Sequence, residues 1–572
     1  MTLLLSRKVL ALTSIVLMNF SFAASPVQFA DTIYYGGDIV TVNDQQASAE
    51  ALAVKDGVIV AVGERKALAQ FKGHKTKMVN LRGQTLLPAF MDAHSHYINS
   101  LSVANQVNVY APPAGPGTSP ESIVAELKKF VKAHKIPKGV LIQAYGYDEN
   151  VMPEGRQLNR DHLDAVFPDH PVLVNHVSMH GGVLNSAAMK KWKFTAEMQT
   201  PPGGVILRKP GTAEPYGLIM ETAFLPVFAD LPKPETDEEI IAATRAGQMM
   251  YARAGITTAH EGATHAADLK VMQKASKAGV NIIDVVAYPF ITDLEEVLKD
   301  NPPESFGKYN QRLKLGGVKI TIDGSPQGKT AYFTQPYLTG GPGGEENWTG
   351  EPTFPEEWVK KAVKQVYELN VPLNLHANGD AAIDLFLRAH EYAAVGDLSR
   401  DRRTTVIHSQ FVRKDQMAKY AEYKIIPSLY TLHTFYFAEA HKANRGFEQA
   451  SYLSPMRDAI DMGLHPSNHT DFVVAPLDQM FMLWSAVNRV SRAGEVYGAD
   501  QRVTPLEALK AMTINVAFQY KEEASKGSLE TGKLADLVIL DQNPLKVAPM
   551  KIKDIRVMAT IKEGKTIYQR EK

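Results

Sequence analysis

Leu86-Leu87-Pro88-Ala89-Phe90-Met91-Asp92-Ala93-His94-Ser95-His96 runs from an apolar, strand-like segment straight into Asp-x-His-x-His. Residues two apart on a strand share a face, so His94 and His96 project together, with Asp92 beneath them. Two imidazoles converging at the end of a buried strand form a natural metal clamp. Alone, the stretch also reads as two ordinary loop histidines. The other strand ends decide between the two readings.

Upstream, residues 30–43, 51–63 and 78–87 are short β-rich runs, with a hairpin signal at Asp56-Gly57. The far end mirrors them, with runs at 534–541, 555–561 and 565–568. Chain termini often lie close together. A small β-sandwich domain built from 25–85 and 525–572 is therefore expected, enclosing one large domain at 86–524.

The large domain alternates helices with strands. Strands are expected near 256–260, 281–288, 315–323, 371–376, 404–408, 425–429 and 466–471, with helices near 238–254, 267–278, 355–369, 381–394 and 414–422. Together with the strand ending at His96, this makes eight βα units. The fold class is α/β, a TIM (β/α)8 barrel. Residues from about 105 to 235 exceed the count and read as a large insertion after strand 1, over the catalytic face of the barrel.

The strand ends can now be read together. Val318, Ile320 and Ile322 alternate with Lys319, Thr321 and Asp323, which turns Lys319 into the barrel. The fifth strand ends at His376, the sixth at His408 and the eighth at Asp471. Histidines at successive strand C-termini are hard to assign to chance.

Composition narrows the class. The 572 residues are 45% hydrophobic and 22% charged, and Lys+Arg equals Asp+Glu at 62 each. Zero net charge points to neither nucleic acid nor an anionic membrane as partner, and fits a small-molecule enzyme. The absence of cysteine excludes disulfides, thiolate ligands, Cys nucleophiles and a lipoprotein anchor. Residues 1–24 read as a cleavable signal peptide: Arg7 and Lys8, a mostly apolar run at 9–22, then cleavage after Ala23 or Ala24. A secreted or periplasmic protein is expected, with no membrane role beyond export and a homodimer as the default assembly.

The combination of FMDAHSH (90–96), VKITIDGSPQGKTA (318–331), LNLHANGD (373–380), VIHSQ (406–410), PLEALKAMTINVA (505–517) and GSLETGKLADLVILDQNP (527–544) resembles the amidohydrolase superfamily, in particular its YtcJ-like branch, amidohydrolase family 3. The resemblance implies that His94 and His96 bind the more buried of two metals and that His376 and His408 bind the second. It implies that Lys319, carboxylated to a carbamate, bridges them, and that Asp471 is both ligand and general acid/base. The metals are expected to be two Zn2+, given imidazole and carboxylate donors. They would lie about 3.5–4 Å apart and share a hydroxide that attacks a carbonyl carbon.

One departure stands out. Before Asp471 the branch has small residues, whereas this chain has Asn468-His469-Thr470. His469, with His180 (in a His…Asn-Ser segment at 180–186) and Glu221 (in a Gly-x-Leu-x-Glu element at 217–221), is a candidate substrate-binding residue; each has a structural alternative. The Gly-rich segment 338–350 is a candidate lid.

The leading function is an exported metal-dependent hydrolase of a C–N bond in an amide, N-acyl or cyclic amide. The alternatives are a lactonase or esterase, a mononuclear deaminase on the same fold, and a non-catalytic exported binding or regulatory protein. The last predicts eroded ligands, whereas all six ligand positions are filled.

Overall fold

The computed structural model describes residues 29–571, apart from 154, 155, 178, 180, 202, 203 and 343. The signal segment at 1–24 and His180 therefore lie outside the described residues. Among the described residues no helix is long and apolar enough to cross a membrane.

Both chain ends build one eight-stranded sheet. Its path runs Lys565–Gln569, Val557–Lys562, Leu537–Leu540, Thr85–Pro88, Thr32–Val40, Ser48–Lys55, Val58–Gly63, with Lys77–Asn80 beside Thr32–Val40. The two ends join antiparallel, Val538 opposite Leu87. Asp56 and Gly57 both have positive φ, 48° and 79°, the conformation a two-residue hairpin turn requires. Tyr34, Leu52 and Val54 share a core with Leu537, Ile539 and Ile561, so the sheet buries residues from both ends together. Its strands are hydrogen-bonded in one continuous path.

Thr85–Pro88 passes the chain directly to Phe90–Met91, which opens a second system of parallel strands. One run pairs Phe90–Met91, Ile256–Thr264, Asp284–Pro289 and Leu313–Leu315. The other pairs Val318–Thr321, Leu373–Ala377, Thr405–His408, Ile426–Leu429 and Ser467–Asn468. Leu313–Leu315 and Val318–Thr321 are one strand broken at Gly316-Gly317. A Cβ on Gly316 would lie 2.6 Å from the Tyr288 ring, and one on Gly317 only 2.1 Å from the Pro372 carbonyl oxygen. The glycines let this strand pass from one neighbour to the next, and an isolated pairing of Phe290 with Lys319 links the two runs.

Eight strands in sequence order and parallel direction match the (β/α)8 arrangement. Among the described residues no strand ladder joins Ser467–Asn468 back to Phe90–Met91. Two backbone bonds span that seam: Asp471 N–H donates to His94 O (3.1 Å) and His96 N–H to Phe472 O (2.8 Å).

Helices Asp237–Arg253, Ala266–Lys277, Glu356–Glu368, Asp380–Ala393 and Lys414–Tyr423 cover the strands. The first begins in a capping box, Thr236 accepting from Glu239 N–H. Val359, Val363 and Val366 pack on Val318, Ile320 and Leu375. That outward apolar layer is the reason the alternate residue, Lys319, faces inward.

The insertion carries a six-stranded sheet in the order Gly204–Arg208, Pro215–Glu221, Gly181–Leu184, Val172–His176, Ile142–Tyr147, Val107–Asn108. It has its own core around Ile123, Leu127, Leu163 and Val174. The Tyr110 hydroxyl roots it to the barrel by donating to Val473 O, just after Asp471.

A buried ionic cluster joins the barrel to the terminal sheet. Asp284, at the start of its strand, accepts from Lys526 Nζ (2.7 Å), Lys562 Nζ (2.6 Å) and Arg312 Nη1 (3.0 Å). Lys562 also reaches Asp536 (2.7 Å), and Arg312 reaches Glu563 in a two-pronged bond. Burial works to raise the Asp284 carboxyl, but Lys562 and Lys526 outweigh it and hold it below the usual carboxylate range. Stability from this group is therefore present above the unfolded-state pKa of about 4 and lost as pH falls below it. Asp284→Asn leaves two buried ammonium groups short of a counter-charge. It is expected to cost about 3–5 kcal/mol at pH 7, read by urea titration, with the difference from wild type shrinking on acidification.

Candidate metal centre

The first strand ends at Met91, and the turn that follows carries Asp92, His94 and His96. Asp92 is buried and accepts from Ser95 Oγ and His260 N–H (3.2 Å). It holds the turn backbone in place. Burial pushes its carboxyl up to about 7.

His94 Nε2 and His96 Nε2 each lie 3.4 Å from Asp471 Oδ1, and the ligand atoms of these three residues all fall within 4.8 Å of one another. Asp471 Oδ1 is buried and makes no hydrogen bond. The His94 ring lies close against the second strand because residue 262 is glycine: a Cβ there would sit 2.3 Å from His94 Cε1.

On the other side of His94 lie the fifth- and sixth-strand histidines. The rings of His376 and His408 are 4.5 Å apart, and those of His94 and His408 5.4 Å. His376 turns Nε2 away, toward Asn378 (2.9 Å) and Asp323 Oδ1 (3.5 Å); in the tautomer that directs Nε2–H at the Asp323 carboxylate, Nδ1 keeps its lone pair for the centre. His408 turns Nδ1 to His469 Nε2 (3.0 Å), which leaves Nε2. His408 and Asp471 both hold left-handed backbone, φ 73° and 53°. Such conformations in non-glycine residues are costly and cluster at functional sites.

Metal ligation needs neutral imidazole, and the electrostatics favour it at His94, His376 and His408, while the Asp471 carboxylate beside His96 outweighs burial and raises that ring. Burial, then Lys319 and the neighbouring rings, push His94 and His260 well below the usual histidine value. Burial alone dominates for His376, taken to about 3. Burial also lowers Lys319, to about 8, against the opposing charges of Asp471 and Glu261. Burial would raise Asp471, but His96, His469 and Lys319 outweigh it and hold the carboxyl at about 2.

The structure thus brings together His94, His96, Lys319, His376, His408 and Asp471. The three substrate candidates fare differently. His469 has both ring nitrogens engaged, Nε2 with His408 and Nδ1 with Ser428 Oγ (2.9 Å), so neither is left to face a substrate. Glu221 is exposed at the end of its strand, opposite Gly204. His180 lies outside the described residues. The segment 338–350 is tied down at both ends, Leu338 N–H to Asn444 O (2.9 Å) and Trp348 Nε1 to Lys329 O (2.7 Å).

Sequence reading missed His260 and Glu261. His260 Nε2 meets Asn374 Nδ2 (2.9 Å), its ring stacks on Tyr288 (4.8 Å) and stands 4.9 Å from His94. Glu261 accepts from Ile98 N–H (2.6 Å), and its charge acts on His96 and Lys319. The signal was present: His260 closes the run 256–260 with which the second strand begins, although the strand itself continues to Thr264.

The model of the amidohydrolase family matches residues 77–568. YtcJ of Bacillus subtilis (strain 168), named as an amidohydrolase, is 26% identical over 552 residues, which cover 94% of this chain and 99% of that protein. The N-substituted formamide deformylase of Arthrobacter pascens is 24% identical over 555 residues, 95% of this chain and 99% of that one. Among solved structures, an uncharacterized metal-dependent hydrolase from Pyrococcus horikoshii OT3 superposes with a TM-score of 0.69 at 22% identity, covering 91% of this chain and 99% of that one. With a family model matching this much of its length, the chain belongs to the amidohydrolase family.

Proposed function

We propose that this chain is an exported metal-dependent hydrolase cleaving the C–N bond of an amide, N-acyl or cyclic amide substrate. The observation that carries the reading is the approach of His94 Nε2 and His96 Nε2 to one otherwise unbonded oxygen of Asp471, each at 3.4 Å. Ligands around a zinc ion with bonds of about 2.0–2.1 Å are spaced by about 3.3 Å, so the residues fit the ion. His94, His96 and Asp471 would hold one Zn2+. His376 through Nδ1 and His408 through Nε2 would hold a second, with a Lys319 carbamate between the two. Such a centre supplies a water of lowered pKa and positive charge beside a carbonyl oxygen.

The chain's own groups supply the rest. Asp471, ionised at neutral pH, takes a proton from the attacking water. It then passes that proton to the departing nitrogen. Asn378, Asp323 and His469 fix the orientation of His376 and His408 from behind. The activity for which the Arthrobacter pascens relative is named, deformylation of N-substituted formamides, supports a C–N bond as target. The segment at 1–24 supports export to a periplasm or the medium, and zero net charge supports a small-molecule partner.

Zinc-supplemented protein is expected to hold about two metals per chain and to turn over members of a panel of N-acyl amino acids, simple amides and lactones. Turnover of lactones alone would favour the esterase reading, and fewer than one metal with no turnover would contradict the proposal. Only the neutral amine of Lys319 can react with CO2, and lowering toward 8 raises its neutral fraction at working pH. Uptake of the second metal is therefore expected to rise from pH 6 to pH 8.5 and to require bicarbonate, and Lys319→Ala is expected to lose both dependences. Gly262→Ala pushes a methyl group into the His94 ring. It is expected to lower metal content at least tenfold at limiting zinc, measured by elemental analysis.

A further inference from the structure

Metal ligands come from strands one, four, five, six and eight; the seventh strand supplies none. Its last residue is Leu429, and Tyr430 follows immediately. Tyr430 is 1% exposed, and its hydroxyl is buried with no hydrogen-bond partner. A buried, unpaired polar group costs about 1–3 kcal/mol, so an orphan phenol beside the histidine cluster calls for a reason.

Its surroundings give one. The Tyr430 ring stands 5.0 Å from His469 and 6.0 Å from His408, with His433 at 4.4 Å on its other side. The charge of Asp471 and the phenols of Tyr110 and Tyr436 lie within its electrostatic reach. Several ring nitrogens and one hydroxyl nearby are already engaged. His469 uses Nδ1 on Ser428 and Nε2 on His408. His433 uses Nδ1 on His441 Nε2 (3.0 Å), and the Tyr110 hydroxyl is spent on Val473 O. A phenol is protonated at neutral pH and can donate.

We infer that the Tyr430 hydroxyl is a catalytic hydrogen-bond donor to the oxygen of the scissile carbonyl, reaching it from the seventh strand. The inference rests on the hydrolase reading and adds to it the group that receives negative charge developing on that oxygen. A preorganised donor costs no reorganisation as charge builds, and removal of one such donor typically lowers turnover about 10²–10³-fold. A donor aimed at the developing oxyanion also predicts a preference for tetrahedral anions over planar ones.

Tyr430→Phe removes only the hydroxyl, and loss of an orphan group leaves the packing in place. The experiment compares wild type and Y430F, both zinc-loaded, for metal content, thermal midpoint, turnover of the best amide from the panel, and calorimetric affinity for methylphosphonate, a tetrahedral oxyanion. Expected are equal metal content, a midpoint in Y430F no lower than in wild type, kcat lowered about 10²-fold with little change in KM, and methylphosphonate bound at least tenfold more weakly. Equal methylphosphonate affinity in the two proteins, or none in either, would overturn the role of Tyr430 whether or not an amide is hydrolysed. Wild type that binds methylphosphonate through Tyr430 yet hydrolyses no amide would instead sink the C–N reading and leave the oxyanion site standing.

Discussion

The contact on which the rest of the structure depends is the meeting of the first and eighth strands at His94, His96 and Asp471. It works at two levels. Backbone bonds from Asp471 N–H to His94 O and from His96 N–H to Phe472 O join strands that share no ladder. The same approach sets the Asp471 carboxylate 3.4 Å from both imidazoles. The seam of the strand system and the centre of the site are therefore one object. Whatever displaces one strand end displaces a ligand.

A cluster of buried histidines is costly unless each ring is neutral and oriented. Here burial pushes His94, His376 and His408 toward the neutral form; Asn378 and Asp323 engage His376, His469 engages His408, and Gly262 leaves room for the His94 ring. The positive charge of Lys319 reinforces neutrality in all three. At the opposite end of the strands the problem is solved differently, by pairing Asp284 with Lys526, Lys562 and Arg312. One end of the strands keeps polar groups short of partners and faces the chemistry. The other end pairs them fully and binds the barrel to the terminal sheet.

Much of this was legible in the residues. Alternation of Val318, Ile320 and Ile322 with Lys319 placed the lysine inward, and apolar runs ending in histidine marked the strand C-termini. The break at Gly316-Gly317 was not legible, because it reflects the closeness of Tyr288 and Pro372, residues distant in sequence. Tyr430 was passed over because a tyrosine at a strand end is ordinary; only the lack of a partner for its hydroxyl singles it out. The engagement of both nitrogens of His469 depends on Ser428 and His408, which no local pattern announces. The continuous path of the terminal sheet was hidden for the same reason: strand order across 450 residues of intervening chain is set by tertiary packing.

The most direct test of the metal centre is anomalous diffraction at the zinc edge from crystals of zinc-loaded protein. The account predicts one anomalous peak bonded to His94 Nε2, His96 Nε2 and Asp471 Oδ1, and a second beside it bonded to His376 Nδ1 and His408 Nε2. Density for a carboxylated Lys319 should lie between them. Peaks only at surface histidines, or a single ion that leaves His94 and His96 unbonded, would contradict it.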